Sequence, residues 1–257
     1  MPIPLTTLSI RLLAAIAFAG LGATLSACSD DTDKQAKKTE ASVTETAAAP
    51  SVDQSKIDKT ETGATAPEAK VPVAEGTVDV AKLMEPGPLP DISIGKDDAK
   101  VTIVEYMSMT CPHCARFHND VFEGIKAKYV ETGKVKFVLR EFPLDSRATA
   151  AIMLARCAPK EQYFPMVSAL FKSQITWATA EDGRAALLQM SKLAGFTQES
   201  FEACLTNQKL LDEVVATREK ASKEYGVDST PTFFVNGGRY TGEMTVEQMS
   251  AIIDAAG

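Results

Sequence analysis

The chain has 257 residues, 45 % of them hydrophobic and 24 % charged, enough apolar material for a packed core of one large or two small domains. Its 27 Lys and Arg against 34 Asp and Glu leave a net charge of -7, which excludes a surface built from clustered cations to neutralise phosphates, so no nucleic-acid partner is expected. Five cysteines beside only two histidines exclude a large His-rich metal site and leave thiol chemistry open.

Residues 1–27 hold one charge, Arg11, then an apolar run ending in the small residues Leu25-Ser26-Ala27-Cys28. That run is shorter than the roughly 20 residues a spanning helix needs, so the segment is expected to be a secretory signal peptide rather than a membrane anchor. Leu-Ser-Ala-Cys resembles the lipobox of bacterial lipoproteins. By that resemblance Cys28 becomes the first mature residue and carries lipid; the alternative is an ordinary signal peptide with a chance cysteine near the cut. Loss of Arg11 with the leader takes the net charge from -7 to -8. With no polybasic attraction to anionic lipid, Cys28 alone would supply the membrane anchor.

Residues 28–76 are expected to be that lipidated cysteine and a disordered linker. From Ser29 to Gly76 there is no aromatic residue, and Val43, Val52 and Ile57 are isolated among Ala, Thr, Ser, Lys, Glu and Asp. Such a segment cannot bury enough surface to offset its ordering entropy. As a coil it would reach about 35–40 Å.

A globular unit is expected over residues 77–257. A short helix at Val78–Met84 leads into the turn-rich Glu85-Pro86-Gly87-Pro88. Val101–Met107, β-branched and apolar, reads as a buried strand. Cys111–Val130 follows as a helix with Phe117, Val121, Phe122, Ile125 and Tyr129 at helical spacing, and Val135–Arg140 as a second strand. Strand, helix and strand of these lengths make a βαβ unit with parallel strands. Helices are then expected at Ser146–Cys157, Glu161–Ser173, Glu181–Ala194 and Gln198–Glu224, the last broken near Thr206-Asn207, with Pro159, Gly195 and Gly226 marking ends. Strands return at Thr232–Val235 and Arg239–Thr241 around the turn Asn236-Gly237-Gly238, before a last helix at Thr245–Ala256. The fold class is α/β: a βαβ unit and a ββα unit with an all-helical insertion over about 144–226.

Cys111-Pro112-His113-Cys114 falls where a strand hands over to a helix. Cys111 then meets the unpaired N–H groups and dipole of the helix N-terminus, which favour an anion. Pro112 suits the first helical position, and Cys114 lies one turn on, within bridging reach. The imidazole of His113 is expected near the thiolate as a further favourable charge.

Residues 104–114, Val-Glu-Tyr-Met-Ser-Met-Thr-Cys-Pro-His-Cys, resemble the active-site region of DsbA-type thiol:disulfide oxidoreductases. Asp228-Ser229-Thr230-Pro231-Thr232-Phe233-Phe234, with Val235-Asn236-Gly237-Gly238 after it, resembles their cis-proline loop and last hairpin. The likeness spans residues 75–257 and implies a thioredoxin-like fold with a helical insertion. It implies a Cys111–Cys114 redox-active disulfide passed to substrates through a mixed disulfide, and a cis Thr230–Pro231 bond beside it. It also implies that Glu105 is a buried acid serving Cys114; Arg140, at a place where the family often has Lys, is expected to pair with it, and a solvated edge pair is the alternative. His118 reads as a helix-surface histidine. Cys157 and Cys204, both in the insertion, resemble the second, structural disulfide of some family members; two buried unlinked thiols are the alternative.

A periplasmic location, lipid anchoring through the lipobox-like Cys28 and, from the linker, a monomer are expected, with no cofactor. Its partners would be unfolded exported proteins with reduced cysteines and a DsbB-like, quinone-linked membrane protein that reoxidises it. Two other activities stay open: disulfide isomerase or reductase, and a metal carrier using Cys111, Cys114 and His118. The linker looks unable to gather subunits as isomerases do, and neither a second CxxC nor a nearby His pair accompanies the first motif.

Overall fold

The computed structural model describes residues 71–257; the signal peptide, Cys28 and nearly all of the linker lie outside them. Among the described residues, six strands form one sheet. They are β1 (Gly76–Thr77), β2 (Ile92–Ile94), β3 (Val101–Met107), β4 (Val135–Glu141), β5 (Thr232–Val235) and β6 (Gly238–Thr241), in the spatial order β1-β6-β5-β3-β4-β2. Only β3 and β4 run parallel; β2–β4, β3–β5, β5–β6 and β1–β6 are antiparallel. This is the expected βαβ and ββα pairing, with β3 at the centre and buried on both faces.

Strand alternation sorts the core into two layers. Ile103, Met107, Phe137, Leu139 and Phe233 enter the larger cluster, which extends into the helical insertion. Val104, Tyr106, Val138 and Phe234 face the opposite way, against Leu83, Ala221 and Tyr225. The β5–β6 hairpin turns through Asn236 (φ 44°) and Gly237 (φ 87°). A Cβ on Gly237 would collide with the Val78 carbonyl, so glycine is required by space as well as by φ. The Asn236 side chain accepts from the Thr102 N–H (2.8 Å) and donates to the Lys100 and Ala256 carbonyls, tying hairpin, β3 and C-terminus together.

The first helix is α1 (Val80–Leu83). After β3, one helical run contains α2 (Pro112–Arg116) and α3 (Phe122–Ile125), and each is followed by a wide turn, at Phe117–Val121 and at Lys126–Val130, with i→i+5 bonding such as Phe122 N–H to Phe117 O. The insertion comprises α4 (Ser146–Cys157), α5 (Tyr163–Lys172), α6 (Gln174–Ala178), α7 (Gly183–Leu193), α8 (Gln198–Leu205) and α9 (Gln208–Tyr225), and α10 (Val246–Ala256) closes the fold. Asp145, Asp182, Thr197, Asn207 and Thr245 cap α4, α7, α8, α9 and α10, each satisfying an orphan N–H. Gly226, left-handed at φ 65°, ends α9.

Within the insertion, Cys157 of α4 and Cys204 of α8 form a disulfide, with Cα atoms 6.1 Å apart. Elements the sequence reading omitted are β1, β2 and α6. The two strands have two and three residues, too few for a period to register. Helix α6 is a five-residue piece whose Trp177 is fully buried and donates to the Leu170 carbonyl (2.8 Å).

Candidate active site

Strand β3 ends at Met107, and Ser108, Met109 and Thr110 carry the chain to Cys111, the N-cap of α2. The extended φ/ψ of Cys111 (-74°, 119°) aims its sulfur across the helix start, where the Cys114 N–H points at it from 3.5 Å. Pro112 occupies the first turn. From the far end of the chain, the Thr230–Pro231 peptide, in the cis form, brings the Thr230 carbonyl to 3.1 Å from Cys111 Sγ. Both sulfurs are buried, Cys114 completely.

The two sulfurs titrate in opposite directions. The Cys111 pKa is lowered to about 5. The largest cause is the Cys114 thiol donating to it, opposed by burial and assisted by the Thr230 side chain and the backbone N–H groups of Cys114 and His113. The Cys114 thiol is pushed up by burial first, then by its bond to Cys111 and by the nearby charge of Glu105. At neutral pH the pair is therefore an anion at Cys111 and a neutral thiol at Cys114.

The expected role of the His113 imidazole needs correction. Its backbone N–H serves Cys111, but its ring is half exposed and turned to an ion pair, 2.6 Å from Arg116 Nη2 and 3.1 Å from Glu243. Arg116 in turn grips both carboxylate oxygens of Glu243 through Nε (2.9 and 2.8 Å). Glu243 belongs to the segment between β6 and α10, so its claim on the ring could not be read locally.

Glu105 is fully buried, which rules out the solvated edge pair, but its partner is not Arg140. In the parallel register Glu105 lies opposite Leu139 while Arg140 lies opposite Tyr106, so the two charged side chains are on opposite faces of the sheet. Arg140 holds Asp91 through Nε and Nη2 (2.7 and 2.8 Å) and the Tyr106 hydroxyl (2.9 Å). Glu105 is instead held by His118, whose Nε2 lies 3.0 and 3.2 Å from its two oxygens. His118 is not a surface residue: it follows Cys114 by four positions, on the face that α2 and its first wide turn bury against β3.

Sequence reasoning missed Gln174. From the start of α6 its buried amide donates to the carbonyls of Met109 (2.8 Å) and Cys111 (2.9 Å), fastening the insertion to the thiol loop. Nothing local in the sequence marks it. Between α2 and α5–α6, an open groove of about 290 Å³ runs beside the motif, lined by Pro112, Ala115, Phe171, Lys172, Ile175 and Thr176.

Residues 89–255 match the family model described as Thioredoxin. Among solved structures, alpha-DsbA1 of Wolbachia pipientis superposes with a TM-score of 0.63 at 32 % identity, covering 68 % of this chain and 94 % of that one. This chain belongs to the DsbA-type thiol:disulfide oxidoreductases. A provisionally named protein-disulfide oxidoreductase of Rickettsia bellii is 35 % identical over 167 residues, 65 % of this chain and 64 % of that relative. The chain thus spans somewhat under two thirds of the length of such curated relatives. BdbD of Bacillus subtilis, at 19 % identity and a TM-score of 0.57, shares the fold, covering 72 % of this chain and 97 % of its own. Within the DsbA-type fold, the helical insertion is the layer that presents Gln174 and the groove to the thiols.

Proposed function

We propose that this chain is an exported thiol:disulfide oxidase that introduces disulfides into reduced exported proteins. The observation that carries the reading is the split acidity of the pair: Cys111 lowered to about 5 and Cys114 raised, side by side at a helix N-terminus. Stabilising one thiolate stabilises the reduced protein, so the Cys111–Cys114 disulfide is readily given away.

In that mechanism a substrate thiolate attacks Cys111 Sγ, forming a mixed disulfide and expelling Cys114, which takes up a proton by way of Glu105. A second substrate thiolate attacks the substrate sulfur of the mixed disulfide and expels Cys111 as its stable anion. Two substrate thiolates become one disulfide, and two electrons pass to the pair. Low leaving-group pKa makes the second step fast. Pro231 shapes the loop so that the Thr230 backbone meets the extended substrate.

The chain would act as a monomer in the periplasm, held at a membrane by lipid on Cys28, with residues 28–76 as its tether. A DsbB-like quinone-linked membrane protein would return the pair to the disulfide. Equilibration of the full chain with reduced and oxidised glutathione tests the reading. A potential nearer the about -120 mV of strong oxidants supports it, and one near the about -270 mV of thioredoxin overturns it in favour of a reductase.

A further inference from the structure

Four residues after Cys114, His118 is enclosed on every side, with its side chain 1 % exposed. Phe171 of α5 stacks on the ring (centroids 4.6 Å apart, 20° between planes), with Phe122 at 5.0 Å and Phe117 edge-on at 5.5 Å. Nε2 reaches Glu105, while Nδ1 is buried with no hydrogen-bond partner. This asymmetry selects a protonation state. An imidazolium would strand a buried N–H donor at Nδ1, whereas the neutral Nε2–H tautomer leaves only a lone pair there and gives its one proton to the carboxylate.

We propose that His118 is the positioning residue of the thiol chemistry: its Nε2–H orients Glu105, so that the carboxyl group takes a proton from Cys114 and gives it back. The proposal rests on the disulfide-exchange reading above. When a mixed disulfide at Cys111 is resolved internally, Glu105 takes the Cys114 proton. The Cys114 thiolate then attacks Cys111 Sγ, closing the disulfide and expelling the bound thiolate. In the donating direction Cys114 leaves as a thiolate and the same proton returns from Glu105.

The other titratable groups facing this pair are accounted for. Cys111 and Cys114 come from the start of α2. On the same sheet face, Glu141 of β4 is already held by Arg156 of α4 (2.5 and 2.7 Å) and by the Tyr163 hydroxyl of α5 (2.9 Å). The charge of Glu105 is felt by both Cys114 and Tyr163, but of these two only Cys114 changes its bonding during exchange.

The test uses the full reduced chain mixed with oxidised glutathione, following separately the glutathionylation of Cys111 and its resolution by Cys114 across pH. Positioned acid–base groups contribute about 10²–10⁴-fold, so His118→Phe, which keeps the stacking ring but has no donor, is expected to slow resolution by about 10-fold or more at neutral pH and move its profile to higher pH. His118→Gln, which can place an amide N–H near the Nε2 position, should restore resolution to within about fivefold of the unaltered chain, the factor that about 1 kcal/mol represents. Iodoacetamide labelling of Cys111 against pH should be the same in all variants. Unchanged resolution in His118→Phe overturns the proposal, as does a loss shared equally by labelling and resolution, which marks mere loosening. Should His118→Phe fail to fold, Glu105→Gln carries the same test: slowed resolution supports the proposal and normal resolution overturns it. If the unaltered chain does not exchange with glutathione at all, the oxidoreductase reading falls and takes this one with it.

Discussion

Acidifying the reduced protein through about pH 5 should remove a specific part of its stability. Cys111 titrates at about 5 in the folded protein against an ordinary value of 9.0. A pKa depressed by folding contributes stability that is full above the unfolded value, shrinks as pH falls, and is gone below the folded value. At pH 7 roughly two of those four pH units are in force, worth roughly 2–3 kcal/mol at 1.36 kcal/mol per unit. For a folded unit of this size each kcal/mol moves the melting temperature by about 2–4 °C, so the contribution is about 5–11 °C. Carboxylates titrate over the same range, but they do so in the oxidised protein too, where Cys111 has no proton to lose. The quantity to measure is therefore the difference between reduced and oxidised melting temperatures, by circular dichroism at about pH 4 and pH 7. Reduced protein should gain about 5–11 °C on oxidised protein between those two conditions, and reduced Cys111→Ala should gain nothing. A reduced–oxidised difference that does not move with pH would refute the assignment of the anion to Cys111.

Further outcomes follow from other parts of the molecule. Replacing Cys157 and Cys204 together by Ala opens a link across 47 residues, which should cost about 4 kcal/mol and lower the melting temperature by about 8–16 °C without altering Cys111 labelling; an unchanged melt contradicts the bridge. Arg140→Ala leaves the exposed Asp91 to water and the buried Tyr106 hydroxyl without its partner on the far face of the sheet, at about 1–3 kcal/mol. Denaturant unfolding should shift by that amount while the pH profile of Cys111 alkylation stays put; a moved profile contradicts the separation of the two faces. Cys28→Ser should move the protein from membrane to soluble fractions on cell lysis, and continued sedimentation with membranes would remove lipid on Cys28 as the anchor.

Where signals are local, the sequence was legible. Val101–Met107 is a β-branched apolar run long enough to read as the central strand, and Asn236-Gly237-Gly238 announces the hairpin. Helix α4 runs over the expected Ser146–Cys157, its end marked in the sequence by Pro159 and its start capped in the structure by Asp145. Within the site, the Cys111–Cys114 spacing at a strand-to-helix junction and the distant Thr230-Pro231 were both visible, and the fold brings them together.

The partners of Glu105 and Arg140 were misjudged because strand period alone does not give register. Once Glu105 is set opposite Leu139, alternation forces Arg140 to the other face. The burial of His118 agrees with its i,i+4 relation to Cys114, but a polar side chain one turn beyond a buried residue reads equally as a surface one. The orientation of His113 depends on Glu243, 130 residues away, and the grip of Gln174 on Cys111 bridges 63. Such pairings are fixed by tertiary packing and leave no trace in periodicity.

All of this chemistry depends on the ionisation of a single sulfur. Following the ultraviolet absorbance of the thiolate through a pH titration of the reduced full chain, with Cys111→Ala as the blank, reads that ionisation directly. A Cys111 midpoint near 5 is the expected result. A midpoint near the ordinary value of 9.0 would contradict the account.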